Sequence, residues 1–375
     1  MDFTLDDEQT ALRDAVRGLL KGFDNEQRRA ATSEDPGFSE AQWGRLAEMG
    51  LLGLPYSEDD GGMGAGPVEL AVVAEELGRV NAPEPYVDTV VLAGGLVAAL
   101  GTTEQKQDVL GAISAGERVV AAALLEPGTR WDLAGEGVVE KDGRLTGVKE
   151  PVVAGGRADL LVVSARTDDG LGLFLVEPGE GVEVATYATF DGGRASRITF
   201  DAAPATRLGD GSVDPMAALE RVVAAAKIAY CHEALGLMES ALKLTTDYLT
   251  TRKQFGMTLN RFQALTFRAA DMYTSLELTR SVVTWATMVI ADHGSSPELV
   301  TEAARRAKLQ VSKAGRHVGQ EAIQLHGGIG MTAEYAVGHM TSRLTAIDHL
   351  LGDGREQTTH LAATLTDHEV VEPVR

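Results

Sequence analysis

The chain has 375 residues, 44% of them hydrophobic, and a formal net charge of −21 with a sequence pI near 4.8. That length allows more than one domain and a sizeable core. The acidic surplus argues against nucleic acid as a partner, because neutralising phosphates needs excess Lys and Arg, but a few local cations would suffice for a phosphorylated cofactor.

Residues 1–117 read as helices. Asp6–Phe23 carries Leu12, Val16, Leu19 and Leu20 on one helical face. Phe38–Met49 repeats the pattern through Trp43, Leu46 and Met49 until Gly50 and Gly53 stop it. Residues 54–66 are rich in turn formers. Helices are expected again over Pro67–Val80, Val87–Leu100 and Thr103–Ala115. The N-terminus is acidic and lacks the basic-then-apolar order of a signal peptide. Since no apolar run reaches the length of a membrane span, about 18 residues, a cytoplasmic protein without membrane insertion is expected.

The period changes near Glu117. Short runs follow at Val119–Leu125, Gly137–Glu140, Leu145–Val148, Leu160–Ala165, Leu171–Val176, Val182–Ala185 and Ser196–Phe200. Asp142-Gly143 is a two-residue hairpin signal. Together these predict a small β-sandwich or barrel. After Pro215 the helical period returns over 216–251, 261–292 and 298–324, with a last helix after residue 354. Long helices with short links imply a four-helix bundle. The expected fold is α+β, with a helical domain over 1–117, a β domain over 118–213 and a helical bundle over 214–375. The single cysteine, Cys231, lies in an apolar helical stretch and reads as a buried thiol.

Two segments carry the chemistry. Arg252-Lys-Gln-Phe-Gly-Met-Thr-Leu-Asn-Arg-Phe-Gln263 closes one long helix and opens another. There the Arg252 guanidinium is suited to hold a pyrophosphate bidentately, Phe255 to lie against adenine, and Gln263 to hydrogen-bond the same nucleotide. Each alone is more simply a helix-end cation, a buried ring and a surface amide. The second segment is Gln324-Leu-His-Gly-Gly-Ile-Gly330, in which Gly327, Gly328 and Gly330 permit close backbone approach. A lone bend of this kind is usually a helix stop, and His326 reads as packing or capping. There is no metal-ligand spacing, nucleophile elbow or Walker loop.

Taken together, Arg-x-x-Phe-Gly with a downstream Phe-Gln, and Gln-x-x-Gly-Gly-x-Gly, resemble the flavin signatures of the acyl-CoA dehydrogenase family. Asp60-Gly-Gly-Met-Gly64 and the helix holding Glu75-Glu76-Leu77 resemble its N-terminal domain. The resemblance covers essentially the whole chain. It implies FAD bound across a subunit interface, with Arg252 and Gln263 serving the neighbour's flavin and Phe255, Gln324, Gly327 and Gly328 beside them. The implied reaction is α,β-desaturation of an acyl-CoA: a carboxylate takes the α-proton and flavin takes the β-hydrogen as hydride. Implied partners are the acyl-CoA substrate, an electron-transfer flavoprotein or similar acceptor, and a second copy or homologous subunit.

The pattern departs from the family at three places. The base is usually a Glu just before the last helix; here Gly352 aligns with it and Asp353 follows, the alternatives for Asp353 being a shifted base, a solvated turn or an N-cap. The other known base position aligns with Ala226, and Lys227 stands where Arg is usual. At the flavin ring the chain has Leu125-Glu-Pro-Gly-Thr-Arg-Trp-Asp132 and Pro151-Val-Val153, without the expected hydroxyls. This combination resembles the small-subunit type of pimeloyl-CoA dehydrogenase and other paired-subunit enzymes. Three readings stay open: an active dehydrogenase with Asp353 as base, a degenerate subunit completing a partner's FAD site, and a flavin monooxygenase-type relative.

Overall fold

The computed structural model describes residues 4–133 and 135–365; the ends of the two expected outer domains, 1–3 and 366–375, lie outside the described residues. The first helices are α1 (Asp7–Leu19), α2 (Asn25–Ser33), α3 (Glu40–Glu48), α4 (Pro67–Arg79), α5 (Gly94–Leu100) and α6 (Thr103–Ser114). Their starts follow local chemistry. Asp6 and Asp24 form capping boxes with Gln9 and Gln27, Ser39 caps α3, and Pro67 opens α4. The short, polar α2 was not expected from the hydrophobic pattern.

Val87–Leu100 is not one uniform helix. Val87–Ala93 is π-helical before it tightens into α5. The buried Tyr56 hydroxyl donates to the Val90 carbonyl at 2.9 Å. A Cβ on Gly94 would lie 1.9 Å from that hydroxyl oxygen. An inserted phenol therefore diverts one backbone carbonyl, and glycine leaves the space.

The strands are β1 (Val120–Ala123), β2 (Val139–Lys141), β3 (Arg144–Val153), β4 (Leu160–Thr167), β5 (Gly170–Val176), β6 (Val182–Ala188), β7 (Arg194–Pro204) and β8 (Thr206–Arg207). The expected β domain is one eight-stranded sheet, ordered β6-β7-β3-β2-β4-β5-β8, with β1 parallel beside β4. Asp142 and Gly143 have φ of 52° and 76°, which suits the tight β2–β3 hairpin. Val138, Leu145, Leu161, Val163, Ile198 and Phe200 form the sheet's own core. Val120, Val162 and Leu173 join instead the large core shared by both helical parts.

The remaining helices are α7 (Pro215–Thr251), α8 (Gln263–Ala291), α9 (Pro297–His326), α10 (Ala336–His349) and α11 (Gly354–Ala363). The three long spans match expectation, with Asp214 and Ser296 as N-caps. The expected bundle of four thus has five helices among the described residues, because α10 was missed. Cys231 is buried, and burial pushes its thiol up to about 12. Among the described residues no helix is long and apolar enough to cross a membrane.

Candidate functional site: an exposed turn and a three-sided cavity

The first part of the site is on the surface. Arg252 is the C-cap of α7. The next residues form a two-residue ribbon, β9 (Lys253–Gln254) with β10 (Met257–Thr258), turned by Phe255 and Gly256 at φ of 52° and 81°. Phe255 is 88% exposed and meets Phe262 edge-on at 6.2 Å. Gln263 begins α8 and is exposed.

The glycine bend lies next to this turn. Tyr248, in the last turn of α7, stacks on His326 at the end of α9, with ring centroids 4.6 Å apart. His326 is buried, and its Nδ1 lies 2.8 Å from the Ala322 carbonyl, so it packs as expected. Gln324, Gly327 and Gly328 are exposed. Gly327 has φ +64°, and a Cβ on it or on Gly328 would meet nothing within 4 Å, so this backbone faces open space. Among the described residues, the side chains of Arg252, Gln263 and Gln324 have no hydrogen-bond or ion-pair partner, unlike most of this chain's arginines. Exposed Ile329 and Met331 add apolar surface beside them.

The second part is interior. A cavity of about 400 Å³ lies where the first helices, the sheet and the bundle meet, with Leu125, Trp131, Pro151, Val153, Leu350 and Leu351 in its wall. Residues of the 125–132 and 151–153 loops are thus brought to one place. They are held by Glu126, whose carboxylate accepts the Gly137 and Val138 N–H groups at 2.7 and 3.0 Å and the Lys149 ammonium at 2.8 Å. Lys149 is fully buried and also donates to the Leu124 carbonyl and Ser164 Oγ. The loop's polar capacity is largely met from within.

The far end of this cavity is charged. Tyr230 donates to Asp88 Oδ1 at 2.5 Å. Arg343 binds Glu233 at 2.6 Å and Asp191 at 3.1 Å, and lies over the Tyr230 ring. Burial pushes the Asp88 carboxyl up to about 6 and that of Glu84 up to about 7. Sequence reasoning missed Glu84, Asp88, Tyr230 and Arg343. The Glu84/Asp88 spacing was visible, but their partners are far away in the chain.

Asp353 stands at the N-cap of α11, and its Oδ1 accepts the Glu356 N–H at 2.8 Å. It lines neither this cavity nor the one beside it. Gly352 has φ +103°, and a Cβ built on it would fall 2.3 Å from the Gln357 amide nitrogen. A side chain at position 352 would require the end of the Gln357 side chain to move, and the positive φ would strain any L residue there. Lys308, fully buried, holds this loop through the Asp348 and Gly352 carbonyls at 2.8 and 2.9 Å.

Family models for the acyl-CoA dehydrogenase N-terminal domain and C-terminal domain match residues 6–117 and 216–365. The chain belongs to the acyl-CoA dehydrogenase family. It is 29% identical to acyl-CoA dehydrogenase FadE27 of Mycobacterium tuberculosis, over 98% of this chain and 99% of that one. Among solved structures, a Tcur3481-Tcur3483 steroid ACAD variant is 33% identical with a TM-score of 0.87, covering 97% of this chain and 99% of that one. The ChsE4-ChsE5 complex of M. tuberculosis gives 26% and 0.88, covering 99% and 100%.

FAD is the cofactor of this family, and the residues present fit it unequally. The exposed turn offers an unpaired guanidinium, free amides and an open glycine backbone, a donor set suited to a nucleotide's phosphates and base. The cavity offers apolar walls of suitable size but no hydroxyl from positions 151–153.

Proposed function

We propose that this acyl-CoA dehydrogenase acts in FAD-dependent α,β-dehydrogenation of an acyl-CoA, as the subunit that completes a homologous partner's flavin site. What supports this reading is position 352: the glycine there aligns with the family's usual base, its φ is +103°, and the end of the Gln357 side chain lies 2.3 Å from where a Cβ would stand. The adjacent carboxylate, Asp353, is engaged in capping α11, which counts against the reading of a homo-oligomer with Asp353 as base.

Bound FAD would supply the two-electron acceptor. This chain's part is binding and orientation. Arg252 would grip the pyrophosphate of the neighbour's dinucleotide, Phe255 would lie against the adenine, and Gln263 and Gln324 would donate or accept at its edges. Gly327 and Gly328 would let backbone N–H groups approach. The proton-abstracting carboxylate would come from the partner, and electrons would leave to an electron-transfer flavoprotein or similar acceptor. A structural relative being itself described as a two-component complex supports this assembly.

The test is purification with and without a co-expressed homologue. The chain alone should be colourless and inert, and the complex should bleach anaerobically with acyl-CoA. A yellow, acyl-CoA-bleached chain without any partner would restore the homo-oligomeric reading.

A further inference from the structure

A separate cavity of about 410 Å³ opens between α1, α4, α7 and α8. It shares no lining residue with the cavity described above. In a chain of net charge −21, its wall carries more cations than acids. Arg13 and Arg17 come from α1, Glu75, Glu76 and Arg79 from α4, His232 and Glu239 from α7, and Arg280 from α8. The three carboxylates are shared among the arginines. Glu75 meets Arg280 at 2.7 Å and Arg79 at 3.4 Å, and Glu239 meets both as well. Glu76 meets Arg17 at 2.8 Å and Arg79 at 3.2 Å. Glu277, on α8, reaches Arg280 only at 3.9 Å. Among the described residues Arg13 has a single acidic partner, the largely exposed Asp14 at 3.4 Å. The side chains of Arg13 and Arg17 are the most exposed of the four, so a ligand arriving from solvent meets them first.

His232 adds a charge that depends on pH. The ring is buried, as is Thr287 beside it. The Thr287 hydroxyl gives its proton to the Val283 carbonyl at 3.0 Å and lies 2.8 Å from His232 Nε2, so Nε2 carries hydrogen. His232 Nδ1 then faces Glu75 Oε2 at 3.4 Å, a meeting of two acceptors unless Nδ1 is protonated too. Burial opposes ionisation of Glu75, yet its contacts with His232 and Arg280 hold that carboxyl down to about 2. An ionised Glu75 in turn favours the imidazolium. A partly buried surplus of positive charge costs free energy that an anion would recover.

We propose that this cavity binds a small, multiply charged oxyanion, a phosphate or a polycarboxylate, held by Arg13 and Arg17 with protonated His232 in the wall, so that occupancy falls as pH rises. Guanidinium forks match the paired oxygens of such an anion. The site uses none of the residues assigned to flavin and needs no partner subunit.

The test is calorimetric titration of the full chain with pyrophosphate, citrate and sulfate, with chloride at matched ionic strength as the control. Pyrophosphate or citrate should saturate, and the tighter of the two tells a phosphate from a polycarboxylate ligand. Sulfate keeps its charge over the range used, so its pH profile reports the protein. It should bind about tenfold more tightly near pH 6 than near pH 8.5. His232→Gln should flatten that profile. Arg13→Gln, at a partly exposed position, should weaken every oxyanion by about tenfold, as loss of a charge-assisted bond does. Should His232→Gln misfold, Arg13→Gln and the profile of the unaltered chain decide the case. No saturable oxyanion binding, a flat profile in the unaltered chain, or unchanged affinity in Arg13→Gln would overturn the inference. Flavin content, measured separately, reports the partner-completing role, so either conclusion can fail alone.

Discussion

The turn after α7 and the cavity behind Leu125 handle their polar groups in opposite ways. At the turn, Arg252, Gln263 and Gln324 lie exposed without partners among the described residues, and Phe255 is almost wholly in solvent. In and around the cavity the ion pairs are made within the chain, Lys149 with Glu126, Arg343 with Glu233 and Asp191, and Tyr230 bonds Asp88, while Glu84 Oε2 is buried without a partner. A surface that leaves a guanidinium and aromatic rings uncovered is built for something outside the chain. Charges already paired within the chain ask less of a ligand.

The largest expected effect tests whether the interior is self-satisfied. Lys149→Met leaves the Glu126 carboxylate buried without its cation and should cost about 3–5 kcal/mol of stability by chemical denaturation. Adding Glu126→Gln should recover much of that loss. A negligible effect of Lys149→Met would mean that the loop is not held by this pair.

Next comes Glu84, a carboxyl raised from 4.5 to about 7 by burial. The folded state binds this proton more tightly than the unfolded chain, so its stabilising share is full below 4.5 and is lost as pH rises toward 7. Glu84→Gln should remove that decline and make the protein more stable at pH 8 by up to roughly 3 kcal/mol. Urea midpoints of both proteins across pH would show it, and parallel curves would count against the shift.

On the surface, Arg252→Ala should leave the melting of the chain nearly unchanged. It should weaken flavin retention in the assembled complex by about 10- to 100-fold, the scale of one charge-assisted contact. Loss of stability without loss of flavin would reverse the contrast drawn above. The smallest effect belongs to Asp353→Ala, which removes the α11 cap and should cost about 1 kcal/mol. Its effect on turnover should be slight; loss of activity with flavin retained would return Asp353 to the catalytic role.

The parts legible in the sequence are those whose physics is local. Asp142-Gly143 announced its hairpin, and Pro67 and Pro215 announced helix starts. Arg252 through Gln263 announced a turn between helices, but not that Phe255 would stand exposed. The α2 helix was hidden because its nine residues carry no apolar stripe, although the Asp24/Gln27 box was readable. The interior was hidden for another reason. Arg343 and Glu233 are 110 residues apart, and Arg28 reaches the Asp191 carbonyl across 163. The Gln357 amide beside Gly352 follows from the turn's geometry, since a sequence does not say which side chain fills a missing one's place.

The most direct measurement is the flavin content of this chain, purified alone and again with a co-expressed homologous subunit. The account predicts no retained flavin alone, flavin retained in the complex, and its loss when Arg252→Ala is introduced into this chain. One flavin per chain in the isolated protein, with acyl-CoA oxidation unaffected by that substitution, would contradict it.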